Sequence, residues 1–388
     1  MRIAMIGQKG MPGIFGGVER HVDDLSCRLV ESGIDVTVYA RPWYTRGKYR
    51  TYKGVNILRP PSLRTKHLDT ISHTLFATVH AIMRDFDIIH YHGVGPALWA
   101  WLPRLFSPKT TVIVTFHSID RKHAKWGFLA RFILRIGEWC AARFPHQTIA
   151  VSHTIEQYLR DVYDCTAVYI PNSVQVFSPI ETAKELRAWG LKRGEYVLFV
   201  SRLIAHKGAH YLIDAWKLLQ KTAPKIIRGK KLVIVGGGHY TSQYVKTLRQ
   251  SASTDESIVL TGFQTGTPLV ELFTHAALFV HPSDNEGMPL NVLEAMSYSL
   301  PTILSNIPEH KDLSLGEGFL FSRGRPASLA QAIERVLSLS EETRTAAGAK
   351  NRQRIISEFN ADRVIHDTLA LYESCHLAHR ARLAPALR

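Results

Sequence analysis

Four groups of residues in this sequence have the types and spacing to act on a phosphorylated, hydroxyl-rich ligand. Glu286 and Glu294 stand with seven residues between them, in His281-Pro282-Ser283-Asp284-Asn285-Glu286-Gly287-Met288-Pro289-Leu290-Asn291-Val292-Leu293-Glu294-Ala295-Met296. Arg202 and Lys207 are five apart in Ser201-Arg202-Leu203-Ile204-Ala205-His206-Lys207-Gly208, so that one loop could grip two phosphates from one side. His117 follows an apolar run, and five glycines (Gly7, Gly10, Gly13, Gly16 and Gly17) crowd the first seventeen positions. Phosphate calls for cations and backbone amides. A loop that offers amides to an anion has no use for a carboxylate on that same anion, so each glutamate suits hydroxyls of a sugar or ribose.

These residues need elements to hold them. The apolar run 276–280 reads as a buried strand that stops at His281-Pro282. Pro289 suits the first turn of a helix, where its missing N–H costs nothing. Strand, turn and helix then put Gly287, Met288, Pro289 and Leu290 at a helix N-terminus, which attracts phosphate. Glu294 follows about two turns on. The strand 196–200 precedes Arg202, the strand 231–235 precedes Gly236-Gly237-Gly238, and 258–263 leads to a helix over 268–273. Nearer the start, a strand at 3–7 runs through the glycine loop into a helix bearing Val18, Val22, Leu25 and Leu29 on one face. That helix ends at Gly33, and a strand follows at 34–40. The glycine spacing of three is not the dinucleotide G-x-G-x-x-G. Gly16 and Gly17 would let backbone approach a ligand closely. Further strands are expected at 87–91, 111–116, 147–151 and 167–170, with a helix over 68–83 and a loop or hairpin over 41–66. His90, His92 and His117 fall at strand ends. His117 is placed where ligands of doubly wound sheets collect, whereas His90 and His92 suit acceptor-side or packing roles. A linker at 171–179 precedes the second half, whose last strands lie at 301–305 and 318–321 and whose last helices lie at 327–339, 341–359 and 361–371. The fold class is α/β, with two doubly wound Rossmann-like domains, 1–172 and 180–360.

The framing P-S-x-x-E-G-x-P-x-x-x-x-E-A-M over 282–296 resembles the signature of family-4 retaining glycosyltransferases of the GT-B fold. Arg202 to Gly208 is similar to that family's R-L-x-x-x-K-G. Gly7-x-x-Gly10-x-Pro12 followed by Phe15-Gly16-Gly17-x-Glu19 resembles the N-terminal loop of members that build bacterial polysaccharides, rhamnosyl- and mannosyltransferases among them. The resemblance implies two domains facing a cleft, with the final helices, 361–388, crossing back onto the first. It implies a metal-independent hexosyltransferase that moves sugar from a nucleotide-diphosphate donor to a glycan or lipid-linked glycan. Arg202 and Lys207 would neutralise the diphosphate, Glu294 would hold ribose and Glu286 the donor sugar. His117, in Thr115-Phe116-His117-Ser118, would contact the sugar or its phosphate, and Gly16 and Gly17 would lie between donor and acceptor. One corner departs from the family: Ser173-Val174-Gln175 replaces the usual glycine-valine-aspartate. The alternatives are a nucleotide-sugar epimerase on the same fold and a non-catalytic nucleotide-sugar-binding protein.

Composition agrees with an anionic partner. The net charge is +15, with 22 Lys+Arg against 13 Asp+Glu in residues 1–175 and 26 against 20 in the remainder. Phosphate-bearing donors, anionic lipid and nucleic acid all fit such a charge. No helix-turn-helix, zinc finger or aromatic RNA-binding pattern accompanies it, so nucleic acid is not expected. The four cysteines lack metal-ligand or disulfide spacing, and a cytoplasmic setting without a spanning segment is expected. Within 121–144, Lys122, Lys125, Arg131, Arg135 and Arg143 interleave with Trp126, Phe128, Leu129, Phe132, Ile133, Leu134, Ile136 and Trp139. The stretch reads as a long helix or helix pair, and so many apolar residues around its circumference should pack mostly against the first domain. The basic residues among them suit peripheral attachment to an anionic membrane surface.

Overall fold

The computed structural model describes residues 1–384 apart from 15, 66–67, 123–126 and 239–240, and the side chains of Arg46, Lys122 and Glu317 are also outside the description. Phe15 of the glycine loop and, in the basic aromatic segment, Lys125, Trp126 and the side chain of Lys122 are thus not described. The chain divides into two compact units, Met1–Asn172 with Ala361–Arg388, and Ser173–Asn360. The last helix therefore belongs to the first unit.

In the first unit β1 (Arg2–Ile6), α1 (Gly17–Glu31) and β2 (Asp35–Tyr39) open the chain, followed by the hairpin β3 (Thr51–Tyr52) and β4 (Val55–Leu58). Next come α2 (Leu68–Ile82), β5 (Ile88–His92), α3 (Trp101–Phe106) and β6 (Thr111–Phe116). α4 (Phe128–Arg143), β7 (Gln147–Ala150), α5 (His153–Tyr163) and β8 (Val168–Tyr169) complete it before the linker. The sheet order is β3-β4-β2-β1-β5-β6-β7-β8, parallel except for β3. α1 ends as its sequence requires: Gly33, at φ 81°, donates its N–H to Val30 (2.9 Å), and Ile34 donates to Leu29 (3.0 Å).

In the second unit β9 (Tyr196–Val200), α6 (Ala209–Thr222), α7 (Pro224–Ile227), β10 (Lys231–Val235), α8 (Ser242–Ala252) and β11 (Ile258–Gly262) come first. α9 (Thr267–Thr274), β12 (Leu278–His281), α10 (Leu290–Ser297), β13 (Thr302–Ser305), α11 (Pro308–Lys311) and β14 (Leu320–Phe321) follow, then α12 (Pro326–Leu337) and α13 (Glu341–Glu358). All its strands are parallel, in the order β11-β10-β9-β12-β13-β14. The chain builds outward from β9 in one direction and from β12 in the other, so strand order reverses at β9/β12. In the first sheet the same reversal falls at β1/β5. Parallel strands covered by helices on both faces are apolar throughout, as in Tyr196, Val197, Leu198 and Phe199, all fully buried.

Several elements differ from the sequence expectation. The long helix or helix pair expected over 121–144 is an α-helix only from Phe128, preceded by a short 3-10 turn at Asp120–Lys122. Its first half packs along one side only, with Ile133 and Leu134 half-buried. Only Gly137, Glu138, Cys140 and Ala141 are buried, while Phe128, Leu129 and Phe132 are 90%, 69% and 56% exposed. Gly137 lets the buried turn press on the Val94 carbonyl, which a Cβ would meet at 2.4 Å. The helix expected over 361–371 runs instead as α14 (Ala361–Leu383), because no glycine or proline interrupts it. α14 is fastened to the first sheet. Tyr372 is fully buried with its hydroxyl 2.6 Å from Nδ1 of His90, and His379 Nε2–H donates to the Pro108 carbonyl (2.7 Å). Among the described residues no helix is long and apolar enough to cross a membrane.

Burial in the first unit holds several imidazoles neutral, pushing His73 on α2 down to about 4 and His90 on β5 down to about 3. The unfolded rings titrate near 6.5, so between that pH and about 4 the unfolded chain binds more protons. Stability must then fall as pH falls, by up to about 1.4 kcal/mol per ring per pH unit. Thermal unfolding followed by circular dichroism should show Tm dropping steadily from pH 6.5 to 4. A flat Tm over that interval would mean these rings are not held neutral by burial.

Candidate active site

Three loops meet at the carboxyl ends of β9, β10 and β12, where a doubly wound sheet receives its ligand. The loop after β9 carries Arg202, exposed, and Lys207, which ends a short 3-10 turn at Ala205–Lys207. It is tied to the loop after β12: the N–H of Asp284 donates to the His206 carbonyl (2.8 Å), and the Ser283 hydroxyl donates to the same oxygen (3.0 Å). Gly208 permits this, since at φ 74° a Cβ would lie 2.0 Å from the Pro282 carbonyl oxygen. On the other flank Leu203 donates its N–H to Gly237 (3.0 Å), and a Cβ on Gly236 would meet the Ser201 carbonyl at 1.9 Å.

At the centre the Lys207 ammonium donates to Oε1 of Glu286, with the lysine side chain 12% exposed and that of the glutamate 7%. His281 Nε2 lies 2.8 Å from the same oxygen. The Asn291 amide fixes the tautomer of His281. Its nitrogen donates to the Val200 carbonyl (2.5 Å) and to Nδ1 of His281 (3.0 Å), so the ring proton sits on Nε2 and points at Glu286. Burial works against the Glu286 charge, but the Lys207 ammonium and the His281 N–H outweigh it and hold the carboxyl well below the usual carboxylate range. Burial pulls Lys207 down from its ordinary value while Glu286 pushes back. We place the proton on the lysine, because a carboxylate faces it at contact distance. Behind His281, burial pushes His310 down to about 3, and its Nδ1 lies 3.0 Å from the Ser305 hydroxyl.

α10 begins at Leu290, one residue later than expected. Pro289 is its N-cap, with extended backbone (φ −77°, ψ 109°). Gly287, Met288, Pro289 and Leu290 are buried at this helix start, and Glu294 is buried on α10. The structure thus gathers Lys207, Glu286, Gly287, Met288, Pro289, Leu290 and Glu294 in the second unit, with Arg202 on the same loop as Lys207. The sequence reading missed His281 and Asn291 as partners of Glu286. Their signal is present in the motif, His281 ending the strand and Asn291 in the first turn of α10, but only tertiary contact reveals the pairing.

In the first unit the glycine loop is pinned rather than flexible. A Cβ on Gly16, at φ 99°, would lie 2.0 Å from Oε2 of Glu19, and one on Gly10 would lie 2.6 Å from the Tyr44 ring. Glu19 accepts the Lys9 N–H (3.1 Å), Asp23 accepts that of Gly13 (2.7 Å), and the Tyr44 hydroxyl accepts that of Ile14 (2.8 Å). Much of the space that these glycines open is filled by the protein's own carboxylate and phenol, and Gly17 starts α1. His117, directly after β6, is buried with its Nε2 3.1 Å from Nδ1 of His92. His21 on α1 was not singled out by the sequence, yet its ring stands edge-on to His92 (5.8 Å between centroids) and His117 (5.2 Å). His90 takes the packing role, with Nδ1 on Tyr372 and Nε2 2.7 Å from the Thr115 hydroxyl.

Comparison with known proteins settles the family. The model for glycosyl transferases group 1 matches residues 182–354, and that for glycosyltransferase family 4 matches 15–176. The chain is a family-4-type glycosyltransferase. An uncharacterized glycosyltransferase of Methanocaldococcus jannaschii is 26% identical over 87% of this chain and 89% of its own length. The UDP-Gal:alpha-D-GlcNAc-diphosphoundecaprenol alpha-1,3-galactosyltransferase of Escherichia coli is 25% identical over 74% of this chain and 75% of its own. Among solved structures, sucrose-phosphate synthase from Thermosynechococcus elongatus superposes with TM-score 0.82 at 21% identity, covering 97% of this chain and 99% of that one. Anabaena Alr3699/HepE in complex with UDP-glucose gives 0.75 at 20% identity, covering 95% and 99%. The structural neighbours share the GT-B fold, and the family matches favour transfer over the epimerase and non-catalytic readings.

Gly208 generates a test of the glycosyltransferase's loop packing. Gly208→Ala must strain a left-handed backbone, at about 1–3 kcal/mol, and also push Pro282 away. Gly194→Ala, at φ 71° with nothing within 4 Å of the new Cβ, carries the backbone strain alone. Thermal unfolding should rank Gly208→Ala clearly below Gly194→Ala, and only the former should weaken nucleotide binding by calorimetry. Equal Tm values would mean the two loops are not in contact.

Proposed function

We propose that this glycosyltransferase moves a hexose-type unit from a nucleotide-diphosphate sugar to a glycan hydroxyl, with retention of configuration and without a metal ion. The observation that carries this reading is the Lys207–Glu286 pair, largely shielded from water at the point where strand order reverses. A buried ammonium needs an anion, and a carboxylate serves until a more highly charged one arrives. The donor diphosphate is such an anion. Lys207 then turns to it together with Arg202, and amides at the start of α10 add to the grip while Pro289 shapes the turn. Glu286 keeps its bond from His281 and becomes free to accept from a hydroxyl of the donor sugar. Glu294, further along α10, is assigned to ribose, and His117 to the sugar end of the donor. Gly16 and Gly17 are assigned to the acceptor side.

In the step itself the bond from the anomeric carbon to the phosphate oxygen breaks, and its electron pair stays with the diphosphate. The acceptor oxygen bonds to that carbon on the same face, and its proton passes to the leaving phosphate oxygen. Arg202 and Lys207 stabilise the charge that grows there. The E. coli relative's name specifies a diphosphoundecaprenol acceptor, which supports a lipid-linked glycan here and a place in polysaccharide assembly. The glycine loop favours a rhamnosyl- or mannosyl-type donor.

The exposed half of α4 supports the same acceptor. Its buried turn packs on the 96–99 turn that leads into α3, where Leu105 and Phe106 are also exposed. The exposed charges of both helices are all positive: Arg104, Arg131, Arg135 and Arg143. Apolar side chains interleaved with cations fit the interface of an anionic bilayer, each cation contributing about 1 kcal/mol. We therefore assign the protein to the cytoplasmic face of the plasma membrane, as a peripheral protein.

Two measurements test these readings. Lys207→Ala should reduce transfer roughly 10²–10³-fold, and Glu286→Gln should lower turnover while leaving nucleotide affinity unchanged or higher, because it frees the lysine. Wild-type transfer should survive EDTA, and strict dependence on magnesium or manganese would hand the cationic role to a metal. Separately, the protein should sediment with anionic liposomes at low salt, and Phe128→Ser with Phe132→Ser should abolish this. Indifference to anionic lipid at low salt would point to a soluble acceptor.

A further inference from the structure

The histidines at the reversal point of the first sheet form a group whose chemistry the transfer step does not use up. His21 (α1), His92 (end of β5) and His117 (after β6) each offer a ring nitrogen, and these nitrogens all lie within 4.8 Å of one another. Zinc–nitrogen bonds of about 2.0–2.1 Å place tetrahedral ligand nitrogens roughly 3.4 Å apart. His92 Nδ1 and His117 Nε2 already stand at 3.1 Å, so only a small approach by His21 is needed. The far side of His92 is set: its Nε2 is 3.4 Å from the Met5 sulfur, which aims Nδ1 inward. His90 backs the His92 ring at 4.1 Å and is not itself a ligand, both its nitrogens being engaged.

We infer that His21, His92 and His117 form a binding site for a zinc-class divalent cation, whose occupation withholds His117 from the donor and so inhibits transfer. The second half of that statement rests on the donor-side assignment of His117 above. Three imidazoles select zinc, nickel, cobalt or copper over magnesium, calcium or manganese, which prefer oxygen. They also leave a fourth position for water, as in open three-histidine sites. The other convergent group among the described residues, His281, Glu286 and His310, does not offer a comparable site, because the Lys207 ammonium already holds the Glu286 carboxylate.

The test uses the full chain, stripped with EDTA and titrated with cobalt(II), then zinc. One equivalent of cobalt should give the intense visible absorption of a tetrahedral ion, and zinc should displace it. His21→Ala should weaken binding by more than the roughly 10–100-fold that losing an outer-shell partner costs, while His21→Cys, which supplies another ligand, should retain it. Circular dichroism confirms that each variant is folded. Absence of the cobalt signal, or the same titration in His21→Ala, would overturn the site. In parallel, one equivalent of zinc should lower wild-type transfer at least tenfold, reversibly with EDTA, and should spare His21→Ala relative to its own metal-free rate. Binding without inhibition would overturn the coupling and the donor-side assignment of His117, while leaving the metal site standing.

Discussion

A largely shielded lysine and a buried glutamate, 79 positions apart in the chain, set the terms for the second unit. Neither charge would be tolerated alone away from water, and removing one partner strands the other at a penalty of several kcal/mol. Their meeting therefore requires the loops after β9 and β12 to be closed on each other. The hydrogen bonds from Asp284 and Ser283 to the His206 carbonyl do this, and so does the absence of a side chain at Gly208. The orientation of Glu286 is then controlled at one remove: Val200 holds Asn291, Asn291 holds His281, and His281 holds the carboxylate. A strand end, a helix start and a loop are thereby coupled through one oxygen atom.

Both units solve the same problem with parallel strands. Helices covering two faces leave only the carboxyl edge of the sheet for polar side chains, and the reversal of strand order opens a gap in the helical layer there. The second unit fills that edge with an ion pair. The first fills it with imidazoles and a glycine loop whose open spaces are occupied by Glu19 and Tyr44. One sheet edge thus carries cations and amides, and the other carries neutral rings.

Much of this was legible in the sequence. Apolar runs ending in Arg202 and His281, and the glycines and proline after them, marked loops at strand ends without any tertiary information. The two-domain α/β class followed from the same alternation. What could not be read are the long-range meetings. His21 looks like any histidine on an amphipathic helix until β5 and β6 bring two more rings beside it. The Lys207–Glu286 pair was invisible because each residue had a plausible partner in the ligand. Phe128, Leu129 and Phe132 were expected inside, since apolar residues normally are; periodicity cannot show which apolar side chains of a helix its unit leaves uncovered. α14 ran past its expected end because nothing within 372–383 breaks a helix, and the apolar spacing used to mark its limit lapses before the hydrogen-bond ladder does.

The place of α14 in the first unit bears on how the chain is made. Residues 1–172 leave the ribosome early and can form their sheet, but the face beside His90 and Thr111 has its cover nearly two hundred residues further on. Until Tyr372 and His376 arrive, that strip of parallel sheet stays open while the whole of Ser173–Asn360 is being synthesised and folds on its own. The first domain to begin folding is thus the last to finish. A chain cut short between residues 361 and 371 would have a whole second unit and a first that lacks a wall.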